Sequence, residues 1–172
     1  MVDYWRTAGP AHWFAKDGNF DRDTRDRYLA LHEAVASGAL HDWEATPAGA
    51  LALLILLDQF PRNAFRGTSR MYATDPLARG VARRMVSARF DLAIPSALRV
   101  FCYLPFAHSE SVDDQRRSIE LHRALGDPWL GHALRHQSII EQFGRFPHRN
   151  AILGRVTTPA EQAYLDHGGF AG

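Results

Sequence analysis

The run that most constrains this chain is "TPAGALALLILLDQF", Thr46 to Phe60. Thr46 can accept from the free N–H groups of a first helical turn, and Pro47 has its φ pre-set for the first helical position. Behind them the apolar residues fall on every face instead of along one stripe, so this helix must be covered on all sides. Its longest apolar stretch, "ALALLILL" from Ala50 to Leu57, is far shorter than the ~20 residues that span a bilayer. It therefore belongs in a protein core, and no membrane partner is expected. Burial of Leu51, Leu53, Leu54, Ile55, Leu56 and Leu57 is worth about 10 kcal/mol gross, which makes this helix the expected centre of the fold.

Helix signals recur along the rest of the chain and strand signals do not. "FDRDTRDRYLALHEAVASG" sets Tyr28, Leu31 and Val35 at helical spacing and stops at Gly38. "DPLARGVARRMVSA" opens with Asp75 as cap and Pro76 behind it, and "PSALRVFCYLPF" opens at Pro95. "SVDDQRRSIELHRAL" offers Ser111 and Asp114 as a capping box, with Ser109 as the rival cap. "DPWLGHALRHQSIIEQF" runs from Asp127 and Pro128 to a stop at Gly144, and "TTPAEQAYLDHG" carries a full capping box in Thr158 and Glu161. Seven helices with short links predict an all-α single domain over 1–172. They pair as hairpins: 21–37 with 47–60, 76–89 with 95–105, and 111–125 with 128–143. The uneven spacing does not support a regular repeat. The aromatic segment "HWFAKDGNFD" reads as a lid or buttress on the core.

Composition narrows the function classes. The 172 residues are 46% hydrophobic and 23% charged, with a formal net charge of +1. That balance fits an ordinary globule and disfavours nucleic acid as a partner. Nineteen of the basic residues are Arg and only Lys16 is Lys; Arg is the side chain that grips carboxylate or phosphate with two prongs. Cys102 is the single cysteine, in the apolar setting of "RVFCYLPF", so no internal disulfide forms and a buried inert thiol is expected. No charged-then-apolar leader opens the sequence, which gives a cytoplasmic expectation.

Two phrases resemble each other. "DQFPRNAFRG" and "FGRFPHRNAILGR" each begin at an acid-Gln-Phe helix end (Asp58 to Phe60, Glu141 to Phe143), pass a proline, and reach Arg-Asn. Proline is expected to stop each helix and turn the chain. On the plain structural reading, Arg and Asn at these positions tie off the last helical carbonyls. On the functional reading, the two turns converge and present Arg62, Asn63, Arg145, His148, Arg149 and Asn150 to an anionic ligand.

Two further stretches carry titratable groups. In "LPFAHSESVDDQ", His108 precedes a helix start whose positive end keeps an imidazole neutral and Glu110 ionised. A neutral His beside a carboxylate suits base work, whereas capping and packing explain the same residues without chemistry. In "GHALRHQSIIEQF", His136 lies on an apolar face, and His132 with His136 has the i,i+4 spacing of a metal pair. HExxH, paired CxxC, GxxxxGK[ST], GxGxxG and GxSxG are all absent. The usual support for zinc, ATPase, dinucleotide and serine-hydrolase readings is therefore missing, and no metal ligands or cofactor are assigned.

The segments "WFAKDGNFD", "LALLILLDQFPRN", "FCYLPFAHSE", "FGRFPHRNAILGR" and "TTPAEQAYL" closely resemble the bacterial family catalogued as domain of unknown function 924. The resemblance runs over almost the whole chain and implies an all-helical fold with tetratricopeptide-like hairpins. It implies no activity. The family pattern has counterparts of His108, Ser109, Glu110, His136, Arg145, Arg149 and Asn150, and not clearly of His132; the opening "VDYWRTAG" departs from its usual Phe-Trp-Phe start.

Three function classes follow. A small-molecule enzyme, hydrolytic or proton-transferring, would use His108, Glu110 and His136 catalytically and the Arg and Asn residues to hold an anion. A tetratricopeptide-like interaction module would bind a protein partner without catalysis. An RNA-binding role through the Arg-bearing turns is the least favoured.

Overall fold

The computed structural model describes all residues 1–172. Its regular structure is α-helices with short 3-10 turns and no strand, as the capping signals predict. The helices are α1 (Val2–Ala8), α2 (Pro10–Trp13), α3 (Gly18–Ala36), α4 (Pro47–Leu54), α5 (Phe60–Ala64), α6 (Asp75–Ser87), α7 (Ser96–Ala107), α8 (Val112–Arg123), α9 (Trp129–Phe143) and α10 (Pro159–Asp166). Within the span expected to be one domain the chain forms two compact units, Met1–Phe106 and Ala107–Gly172. No helix is long and apolar enough to cross a membrane.

The first unit is built around α4. Thr46 accepts from Gly49 N with Pro47 behind it, and every residue from Ala50 to Phe60 is buried. The expected stop at Pro61 does not occur. The chain passes through a π turn, Ile55–Gln59, and goes on as α5 with Pro61 in its first turn. Proline costs least there, because its missing N–H is one a helix start leaves unused, and the wider π turn makes room for the ring. α3 packs against α5 and the π turn, and α6 packs against α4 and the same turn. The cap of α6 is Thr74 instead of Asp75; the Thr74 hydroxyl donates to Leu57 O at 2.6 Å, which frees the Asp75 carboxylate for Arg62.

The aromatic N-terminal segment is a buttress. Trp5 is fully buried, and its carbonyl accepts from Trp13 Nε1 at 2.6 Å. The Trp13 and Trp5 rings stand edge-on to Phe101 of α7, at 5.0 and 5.9 Å. Such pairs add about 0.5–1.5 kcal/mol each beyond area burial.

In the second unit α8 and α9 form the expected hairpin. α9 ends at Gly144, in the left-handed region at φ 69°, three residues before Pro147. Glycine ends this helix, and proline only shapes the 3-10 turn Pro147–Arg149 that follows. The capping box of α10 is complete, with Thr158 and Glu161 bonded reciprocally. Ser111 makes no side-chain cap on α8. Ser109 does the local work instead: its hydroxyl donates to Asp114 at 2.7 Å and accepts from Ser111 N at 3.2 Å. Ile139, Ile140 and Phe146 make the core of this unit, with Phe143, Tyr164 and Phe170 packed against them.

Leu54→Ala should lower unfolding stability by about 3 kcal/mol in a denaturant titration, because the helix is enclosed on all faces and cannot collapse into the gap. Burial pushes the Cys102 thiol up to about 12. A thiol reagent should therefore leave the native protein untouched at neutral pH and react with it only after unfolding.

Candidate functional site

The loop leaving α7 sets the geometry. Gln115, fully buried on α8, donates its amide to Ala107 O at 2.9 Å and to Ser109 O at 2.6 Å. The Ala107 carbonyl also meets His136 Nδ1 at 3.0 Å. A carbonyl can only accept, so Nδ1 of His136 carries the proton and Nε2 is its basic nitrogen. His122 is fixed in the same tautomer by Ser118 O at 2.8 Å.

Glu110 anchors the turn that follows α9. Its Oε1 accepts from Phe146 N at 2.8 Å, and its two oxygens take the Arg155 fork at 2.8 and 3.1 Å. Arg155 also donates to Phe146 O and to Asn150 Oδ1, each at 3.0 Å. Burial alone would raise the Glu110 pKa, but the Arg155 fork, the Phe146 N–H and the charge of Arg149 outweigh it and hold the carboxyl below its ordinary value. Glu110 is thus ionised, as its place before the helix start leads one to expect, and its charge is spent on the Arg155 fork and the Phe146 N–H.

Around this anchor the turn presents an aromatic and imidazole cluster. The rings of His108 and His136 are 6.4 Å apart. Phe146 lies 5.3 Å from His136 and 5.6 Å from His148. Arg149 is buried, donates to His108 O at 3.0 Å, and sets its guanidinium 4.5 Å over the Phe146 ring. Burial pushes the imidazoles of His136 and His148 down to about 3 and about 4, and that of His122 to about 4. All three are neutral at pH 7. The Nδ1 of His148 is buried without a hydrogen-bond partner, a placement that costs about 1–3 kcal/mol.

The other expected ligand residues are held by carboxylates or by the turn itself. Arg62 donates a fork to Asp75 at 2.9 and 3.1 Å and a further bond to Asp58 O at 2.6 Å. Asn63 donates to Asp21 at 2.7 Å, and Arg66 binds the same carboxylate. These residues belong to the first unit and are occupied there. Arg145 grips Glu161 at 2.6 and 2.8 Å and donates to Val156 O; the Arg145 fork holds the Glu161 carboxyl well below the usual range. Asn150 is fully buried and spans the turn through Arg155 and Thr157. His132 is exposed while His136 is buried, so the i,i+4 pair is divided between solvent and core. No group of three or more His, Cys, Asp or Glu side chains is placed to hold a metal ion.

Sequence reasoning passed over Arg155, Gln115, Phe146 and Phe170. Arg155 stood at the end of the repeated phrase, but nothing near it in the chain named Glu110 as its partner. Phe170 had no local signal.

A family model described as "Bacterial protein of unknown function (DUF924)" matches residues 1–169. A solved structure of ATU0120, a protein of unknown function from Agrobacterium tumefaciens, matches with a TM-score of 0.95 and 51% sequence identity. The match covers 97% of this chain and 95% of that chain. No match was found among curated proteins.

Acid should destabilise the protein in two stages. His122, His136 and His148 take up protons in the unfolded chain near pH 6.5 but in the folded one only near 3 to 4, so stability falls as pH drops through that interval. Glu110 and Glu161, whose pKa values are depressed by folding, withdraw their contribution below about pH 4. The denaturant midpoint should drop steadily from pH 7 to 4, and the His136 ring resonances should not titrate between pH 8 and 5.

Proposed function

For this chain, which belongs to the bacterial family of unknown function DUF924, we propose a small-molecule enzyme that transfers protons on an anionic substrate held in the second unit. One observation carries the reading: His136 is buried, held in a single tautomer by Ala107 O at 3.0 Å, and set 6.4 Å from a second imidazole with a buried guanidinium nearby.

The chemistry follows from that setting. Nε2 of His136 takes the proton, and His108 is the group that returns or relays it. In dry surroundings His136 is a weak base, lowered to about 3 chiefly by burial. An anionic substrate beside the ring stabilises the imidazolium and restores its basicity, so proton uptake is coupled to substrate binding. Arg149 offsets the substrate's charge, and Glu110 with Arg155 fixes the turn that carries it. Hydrolysis fits the same groups: His136 takes a proton from water as the water oxygen attacks, and His108 gives a proton to the leaving group as its bond breaks.

A second reading, an interaction module, is favoured by an open groove of about 940 Å³ lined in part by Arg135, Gln142, Tyr164 and His167. A pull-down that returns one stable partner, with no turnover of any small molecule, would select it.

A screen of carboxylates and phosphate compounds tests the enzyme reading. His136→Asn should cut kcat/KM on any hit by about 100-fold or more, and Arg149→Gln should act mainly through KM. Turnover that is the same in both variants as in wild type removes the cluster from the reaction.

A further inference from the structure

Phe170 fills the space between two imidazoles. Its ring lies 4.8 Å from His136 and 5.1 Å from His148, tilted by 58° and 85°. Phe146 faces the same two imidazoles, with the Arg149 guanidinium over its ring. The slot is thus walled by neutral aromatic faces, and a cation stands one ring away. It gives its present occupant everything except a polar group, and the buried Nδ1 of His148 is left without a bond.

The segment that brings Phe170 there is held by a few backbone bonds, Gly168 N to Leu165 O at 3.1 Å and Gly169 N to Tyr164 O at 3.0 Å, and by the packing of the Phe170 ring. It leaves α10 through Gly168, at φ +79°, and Gly169, and the Phe170 N–H donates to Tyr164 Oη at 2.9 Å. Gly172 lies so close to the His148 ring that a Cβ there would stand 3.2 Å from Cδ2. Gly168, Gly169 and Phe170 also line the groove that Arg135 and His167 border. One side of Phe170 therefore faces the groove and the other faces the imidazoles.

We infer that this slot takes an aryl carboxylate, whose ring displaces that of Phe170 from between His136 and His148 while its carboxylate meets Arg149 and the Nδ1 of His148. The inference deepens the proposed function and rests on it. A ring is required because the tilted geometry that seats Phe170 is one a second aromatic ring reproduces. A single charge is favoured because the cost of burying an ion rises steeply with its charge. A phosphate dianion is disfavoured for that reason. Arg135 at the groove and the glycines behind Phe170 give the ligand a route in and the segment a hinge.

An NMR titration of the imidazole resonances tests this, with benzoate as probe and acetate, cyclohexanecarboxylate and inorganic phosphate as comparisons. Benzoate should shift the His136 and His148 signals and bind about tenfold tighter than acetate. Phe170→Ala should bind benzoate about tenfold tighter than wild type, since the competing ring is gone. Tyr164→Phe keeps the core ring and cuts the bond to Phe170 N; it should move affinity the same way by a smaller factor. Unchanged or weaker benzoate binding in both variants overturns the displacement. Acetate, cyclohexanecarboxylate or phosphate binding as tightly as benzoate overturns the ring preference and leaves the anion site standing. Absence of binding by every anion, in wild type and Phe170→Ala alike, removes the anion site and the proposed function with it.

Discussion

Glu110 accepts the two-pronged guanidinium of Arg155 and, as a third donor, the backbone N–H of Phe146. That carboxylate fastens the turn after α9 to the loop that leaves α7. The positions of Phe146, His148 and Arg149 follow from it, since all three lie on the fastened turn. A charge-assisted fork of this kind is directional as well as strong, so it fixes an orientation that packing alone would leave loose. Gln115 and His136 complete the frame from the other side, because both donate to the carbonyl of Ala107.

Within that frame the electrostatics have one theme. The imidazoles of His122, His136 and His148 are kept neutral by burial, while guanidinium groups stay charged because their ordinary pKa lies so far above neutrality. The cluster therefore sets neutral imidazoles beside guanidinium groups that are already bonded, Arg149 to His108 O and Arg155 to Glu110. The same burial makes the cluster costly to protonate, which is the origin of its response to acid.

The two Phe-Pro-Arg-Asn phrases show how far a sequence pattern carries. In the first, a π turn takes up Pro61 and the helix goes on, with Arg62 and Asn63 spent on Asp75, Asp58 and Asp21. In the second, Gly144 ends α9 before proline is reached, and the Arg and Asn residues organise a turn that binds Glu110 and Glu161. Similar words serve different structures, because proline forbids a helical bond only where that bond would have been made.

What the sequence determined by itself was local. Thr46 with Pro47 and Thr158 with Glu161 marked helix starts, Gly144 marked an end, and the all-round apolar run marked the core of the first unit; each depends on neighbours within a turn or two. His136, Arg149 and Glu110 were legible as candidates because their residue types narrow the chemistry. Their roles were not legible. That Glu110 meets Arg155, that Ala107 O sets the tautomer of His136, and that Phe170 comes to rest between His136 and His148 are contacts across 45, 29, 34 and 22 positions of chain. Only the tertiary structure decides them, because ion pairs, tautomers and burial depend on which groups are brought together in space, and spacing along the chain carries no record of that.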